Sequence, residues 1–157
     1  MAINRGKQFE EKLKADFSKV CGSLIYRIPD QVNGHKTTSQ NPCDFFGYVK
    51  PLMFMIEAKS INGNTFPITN FIQYERMRSY RGIPGLRRGV VIWFIEHDKV
   101  LYVPVITIEK MIKDGKKSVN IRTIANDGYD YVDLPSVKKR VFLDTDYSVL
   151  CDLPENW

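Results

Sequence analysis

Residues 52–60 read LMFMIEAKS, an apolar run that ends on a carboxylate and an amine two positions apart. As a β-strand this segment alternates faces. Met53, Met55, Glu57 and Lys59 then share one side, and Leu52, Phe54, Ile56 and Ala58 turn the other way into a core. Charges on a strand of this kind are unfavourable unless they pair closely or bind something. The competing reading is a strand tip that reaches solvent, with Glu57 and Lys59 as its wet end.

The preceding run CDFFGYV, residues 43–49, also has strand character, and Lys50–Pro51 between the two marks a hairpin turn. Paired residue numbers in an antiparallel hairpin sum to a constant, so pairing 49 with 52 also pairs 44 with 57. Asp44 and Glu57 then stand side by side on one face, with Cβ atoms roughly 4.5–5.5 Å apart. Two carboxylates at that range repel each other, and a divalent cation relieves the repulsion. Asp, Glu and Lys converging at a strand end fit metal-assisted phosphodiester hydrolysis. The carboxylates hold Mg²⁺ (or Mn²⁺) and leave positions for water and phosphate. Lys59 orients the attacking water or stabilises the equatorial phosphate oxygens.

Outward from the hairpin, Ile3, Phe9, Leu13 and Phe17 recur near helical spacing, which predicts a helix over 3–19 with Gly22 as its terminator. SLIYRI (23–28) reads as a strand, and 30–42 is polar and turn-rich, hence a loop. INGNTFP (61–67) reads as a second loop. Thr69 or Asn70 is placed to cap a helix running to about Tyr80. GVVIWFIE (89–96) and KVLYVPV (99–105) read as core strands joined by a turn at His97–Asp98, and VITIEKMIK as a short amphipathic helix. Residues 120–157 mix short strands and turns. The order predicts one α/β domain across 1–157, a mixed β-sheet flanked by helices. There is no GxGxxG or P-loop motif.

Of the 157 residues, 43% are apolar and 26% charged, a globular balance without an apolar run of membrane-spanning length. The charged N-terminal stretch lacks the apolar core of a signal peptide. Three scattered cysteines (Cys21, Cys43, Cys151) without CxxC spacing fit a reduced, cytoplasmic setting. Cys43 reads as a packed small residue, and His35 and His97 as surface loop residues. The net charge of +5 favours an anionic partner. It is concentrated in RMRSYRGIPGLRR (76–88), where Arg76, Arg78, Arg81, Arg87 and Arg88 occur without an acid, the expected DNA-phosphate contacts. Lys116–Lys117 and Lys138–Lys139–Arg140 add smaller basic clusters.

Asp44-Phe-Phe-Gly followed by Ile56-Glu57-Ala58-Lys59 resembles the PD-(D/E)XK nuclease pattern, the restriction-endonuclease-like fold. More closely, NRGKQFEEKL, CDFFGY, FMIEAKS and NTFPITNF are similar in order and spacing to RecU-type Holliday junction resolvases, over roughly residues 4–119. The resemblance implies a homodimer that cuts four-way DNA junctions symmetrically with Mg²⁺ or Mn²⁺. It implies Asp44 and Glu57 as metal ligands and Lys59 as transition-state stabiliser. Glu10 corresponds to the family's first-helix glutamate, which assists the metal site; a surface helix carboxylate is the competing reading. Gln73 corresponds to a glutamine that adds a ligand or water contact. Pro42 stands where the family has a threonine two residues before the aspartate, and Thr37 and Thr38 are out of register with that position. Pro29–Asp30 is a literal PD pair, but it lies outside the hairpin, so Asp44 is preferred. The segment 28–41 is short where the family carries a stalk. That shortening supports a competing expectation, a less selective nuclease of the same fold. A catalytically inactive DNA-binding recombination accessory protein is the third.

Overall fold

The computed structural model describes residues 4–30 and 41–157. In chain order the elements begin with helix α1 (Arg5–Phe17) and strands β1 (Leu24–Arg27), β2 (Phe45–Val49), β3 (Leu52–Ile61) and β4 (Thr65–Pro67). A 3₁₀ turn at Ile68–Asn70 and a short helix α2 (Tyr74–Ser79) lead into β5 (Leu86–Phe94), β6 (Lys99–Pro104) and helix α3 (Val105–Lys113). Short strands β7 (Ser118–Asn120), β8 (Val132–Leu134), β9 (Ser136–Lys138) and β10 (Leu143–Thr145) complete the fold, followed by a 3₁₀ turn at Ser148–Asp152. Ile3, His35, Thr37 and Thr38 lie outside the described residues.

The main sheet has six strands in the order β1-β2-β3-β5-β6-β8, and only the β3–β5 pair is parallel. The hairpin turns on Lys50–Pro51 as its spacing predicts, with Val49 opposite Leu52 and Phe45 opposite Ile56. β3 is therefore central, and its two side-chain sets enter two different cores. Leu52, Phe54, Ile56 and Ala58 pack with Phe9, Leu13 and Phe17 of α1. Met55 packs with Phe71, Tyr74 and Met77 around α2, and with Ile108 and Met111 of α3.

α1 starts where the Asn4 side chain accepts a hydrogen bond from Lys7 N (3.2 Å), a helix N-cap. Its apolar stripe lies against the sheet over Gly47. A Cβ at that position would come within 2.8 Å of the Phe17 ring, so the close approach requires glycine. Asp16 interrupts the stripe and is 2% exposed. Its carboxylate accepts from Lys12 (2.6 Å), Lys19 (2.8 Å) and Thr145 N (3.0 Å), which ties α1 to β10. Leu143, Tyr147 and Leu150 join the α1-side core, so the C-terminal region covers that face of the sheet.

Three boundaries differ from the sequence expectation. The helix expected over 70–80 breaks at Phe71 (φ −87°, ψ 73°), which turns into the core, so α2 begins only at Tyr74, without a side-chain cap. The loop expected at 61–67 contains β4, because Phe66 pairs with Val119 of β7, a partner distant in sequence. β5 begins at Leu86, three residues early, because Met53–Met55 of β3 provide a parallel ladder for Leu86–Arg88. This last shift changes the status of two arginines.

Candidate active site

The β2–β3 ladder ends at Phe45 opposite Ile56, so the direct Asp44–Glu57 pairing expected from the sequence is not made. Asp44, one residue outside the ladder, bonds the residues on either side of Glu57 instead. The Asp44 amide donates to Ile56 O (3.0 Å), and its Oδ2 accepts from Ala58 N (2.9 Å). This pins the carboxylate at the flank of β3, beside Glu57. Glu57 is 0% exposed, which removes the reading of a solvated strand tip. Lys59 Nζ lies 2.6 Å from Glu57 Oε1, a close ion pair, and the lysine is partly exposed. Both Glu57 oxygens are buried, and Lys59 is the donor that Oε1 faces. Burial first, and the Asp44 charge second, push the Glu57 carboxyl up to about 8, against the opposing pull of Lys59.

These observations test whether a divalent ion fits. Asp44 and Glu57 present hard oxygen donors beside each other, and Glu57 Oε2 has no hydrogen-bond donor to displace. Gln73 supplies a further unpartnered buried oxygen, Oε1, from the segment leading into α2, which packs on the same face of β3. Among the described residues no cluster of three or more His, Cys, Asp or Glu side chains is found. A site of two carboxylates with remaining positions left to water suits Mg²⁺, which keeps several waters, better than a fully protein-ligated ion such as structural zinc. The donor set therefore fits.

The other expected site residues lie in different surroundings. Glu10 on α1 is bound by Arg27 Nε (2.7 Å), and Arg27 also reaches Asp30 (3.3 Å). The literal Pro29–Asp30 pair is thus engaged with Arg27 rather than with the hairpin. Arg78 and Arg81 are exposed and face Glu109 of α3 at 3.7 and 3.6 Å. Arg76 is exposed as well. Arg87 and Arg88 are not surface residues: they are 2% and 7% exposed, because the early start of β5 makes them sheet residues. Arg88 Nη1 donates to Met77 O (2.9 Å) at the C-terminal end of α2, and burial lowers its pKa. The arginine run is therefore two groups, a surface set and a buried pair. Pro84–Gly85 was the available signal, since a Pro-Gly turn ends just before Leu86.

Cys43 is fully buried with Sγ directed to Phe45 O (3.2 Å), and burial pushes its thiol up to about 12, so it is a packing residue. His97 sits in the β5–β6 turn, in hydrogen-bond contact with Asn64 (2.6 Å). Asp16 and Arg27 are the ionic residues that the sequence reading overlooked. The signal for Asp16 was its place on the Phe9–Leu13–Phe17 stripe.

Comparison with known proteins agrees with this architecture. In structure the chain is similar to Archaeoglobus fulgidus Hjc, a Holliday junction resolvase from an archaeal hyperthermophile. The TM-score is 0.56 at 17% identity, covering 77% of this chain and 93% of that one. That likeness establishes the fold, a mixed α/β sheet flanked by helices. No curated protein sequence matches the chain. Residues 4–141 match the family described as RecU, Recombination protein U, which takes in the first helix, the hairpin carrying Asp44 and Glu57, and all six strands of the main sheet; the chain belongs to the RecU family.

Proposed function

We propose that this protein is a divalent-metal-dependent DNA endonuclease that resolves four-way (Holliday) junctions. Membership of the RecU family and the fold shared with Hjc, itself a Holliday junction resolvase, support the substrate. The observation that carries the chemistry is Glu57: a fully buried carboxylate beside Asp44, with Lys59 as its near counter-charge. Such a group is unfavourable in the fold by itself and is accounted for by a cation.

Asp44 and Glu57 would hold Mg²⁺ or Mn²⁺, with Gln73 as a further oxygen donor. The bound ion supplies Lewis-acid charge at the scissile phosphate and lowers the pKa of the attacking water. The protein's own part is positional. The Ala58 amide fixes the Asp44 carboxylate. Lys59, partly exposed at the rim, holds a positive charge where the non-bridging phosphate oxygens gain negative charge. Arg76, Arg78 and Arg81 are the surface cations for the phosphate backbone, and Glu10 acts through Arg27 on the α1 side. A two-fold homodimer matches the symmetry of a four-way junction. No helix among the described residues is long and apolar enough to cross a membrane, in keeping with a cytoplasmic DNA enzyme.

The test is cleavage of a labelled four-way junction beside matched duplex and single strand, in Mg²⁺ and in Mn²⁺, with Glu57→Ala and Lys59→Ala as controls. Paired symmetric nicks confined to the junction, absent with Glu57→Ala and reduced about 10²-fold or more with Lys59→Ala, are expected. Equal cutting of all three substrates would keep the site and assign a less selective nuclease. Tight junction binding without cutting in either metal would make the protein an accessory factor.

A further inference from the structure

Two consecutive arginines enter opposite faces of β5 at its first turn of sheet, and the nuclease chemistry uses neither. Arg87 Nε and Arg88 Nε are both buried without a hydrogen-bond partner. Arg87's own bond, from Nη1 to Leu86 O, is long at 3.5 Å. The Tyr102 hydroxyl, completely buried and within electrostatic reach of both guanidiniums, is a third unpartnered group. Neither arginine forms an ion pair among the described residues. Arg88 is partly served by the Met77 and Arg78 carbonyls at the end of α2 (2.9 and 3.5 Å) and by the Glu109 charge, so Arg87 is the buried cation most in need of a counter-charge.

Both arginines line one groove of ≈ 710 Å³ at the hairpin end of the sheet, where Pro51 and Leu52 form part of the wall. The first turn of α3, Val105 and Ile106, forms another part. α3 follows Pro104 with no side-chain cap and no acid in its first turn, so its unpaired N–H groups add positive potential. Arg78 and Arg81 stand at the groove as well. Two acids line the groove. Glu109 is ion-paired with both of these arginines and with Lys113 (3.3 Å), which offsets its repulsion of an anion, and Glu155 is exposed to solvent, which screens its charge. Lys59 lies seven residues beyond Leu52 on β3, roughly 23 Å away, so the groove is separate from the nuclease centre.

We propose that this groove is a second phosphate site, in which Arg87 and Arg88 bind the phosphate of a mononucleotide-sized ligand. Guanidinium forks match phosphate oxygens bidentately. The volume exceeds what a bare phosphate needs and falls in the range of small-molecule sites. Ile83, Leu153 and Trp157 give it apolar walls for a base and sugar. The ligand is a free nucleotide or the phosphorylated terminal nucleotide of a DNA strand. The proposal does not depend on the nuclease reading.

Calorimetric titration of the full chain in EDTA at fixed chloride tests it, with dAMP, inorganic phosphate and deoxyadenosine as probes. One-to-one dAMP binding, weaker phosphate binding and none for the nucleoside are expected. Arg87→Met should weaken dAMP about tenfold or more. The melting temperature of ligand-free Arg87→Met should hold or rise, because an unpaired buried charge is gone. Glu109→Gln should tighten dAMP binding. A 5′-phosphorylated oligonucleotide that displaces dAMP, where its unphosphorylated twin does not, identifies a strand terminus as the ligand; displacement by neither identifies the free nucleotide. No dAMP binding by the wild-type chain, or unchanged affinity in Arg87→Met, would overturn the site. Should Arg87→Met not fold, unchanged affinity in Glu109→Gln overturns it instead.

Discussion

Glu57 concentrates the tension between stability and function in one side chain. Its carboxyl is raised from the ordinary 4.5 to about 8, by burial and then by Asp44. The metal-free folded protein therefore keeps a proton that the unfolded chain has released. The stabilising contribution is full below pH about 4.5 and is lost as pH rises through 8. Glu57→Gln removes a charge that the fold accommodates poorly. In EDTA at pH 8–9 it should stabilise the protein by a few kcal/mol, order of magnitude, and flatten the fall of melting temperature between pH 5 and 8. Mg²⁺ or Mn²⁺ should raise the melting temperature of the wild type at pH 8 and leave the variant unmoved. A variant that tracks the wild-type pH profile in EDTA would remove Glu57 as the source of the strain and weaken its assignment as a ligand. The nearness of Asp44 to Glu57 was legible in sequence because the hairpin turn brings 44 close to 57, although Asp44 bonds Ile56 and Ala58 and does not stand in register opposite Glu57. The burial of Glu57 was not legible, since it depends on α2 and α3 covering the face opposite α1.

At the scale of elements, what the sequence disclosed depended on whether the ordering contacts were local. β2, β3 and their turn show alternation and a Lys-Pro break, and α1 and α3 show clear helical stripes; all were found close to their observed bounds. β4 was hidden because its stability comes from β7, and α2, though expected to end near Tyr80, was given too early a start because Phe71 turns into the core. The start of β5 was hidden because Arg87 and Arg88 break the apolar pattern of a central strand while occupying it. The same crowding makes a prediction about Gly89, which follows them. A Cβ there would lie 2.7 Å from Val103 O and 2.7 Å from the Tyr102 ring, and the backbone oxygen belongs to the neighbouring strand. Gly89→Ala must therefore push β6 away from β5 and should destabilise the protein by about 1–3 kcal/mol in urea unfolding. Gly82→Ala, in open space but at φ +81°, gives the comparison: strain at the backbone alone, without displacement of the sheet. Equal m-values with a lower midpoint for Gly89→Ala would place the effect in the native sheet, whereas an unchanged midpoint would mean that β6 yields freely.

The whole molecule carries one Asp44–Glu57–Lys59 set per chain, whereas resolving a four-way junction requires two cuts at symmetry-related positions. A two-fold dimer meets that requirement by placing one set at each of two opposed strands. This arrangement has a statistical consequence. When wild-type and Glu57→Ala chains are co-refolded in equal amounts and combine at random, about a quarter of the dimers carry two competent sites and about half carry one. Paired cutting within a single encounter should then fall to about a quarter of its undiluted value, while single nicks persist from the mixed dimers. Independent monomers would show a fall only to about one half, in direct proportion to the wild-type fraction. A cruciform plasmid separates the outcomes, because paired cuts linearise it and single nicks relax it. Chains that act alone would give a linear dependence of linear product on wild-type fraction and remove the dimer from the mechanism. A squared dependence, with relaxed circles accumulating as the inactive chain is added, is the result expected of one hairpin site in each of two cooperating subunits.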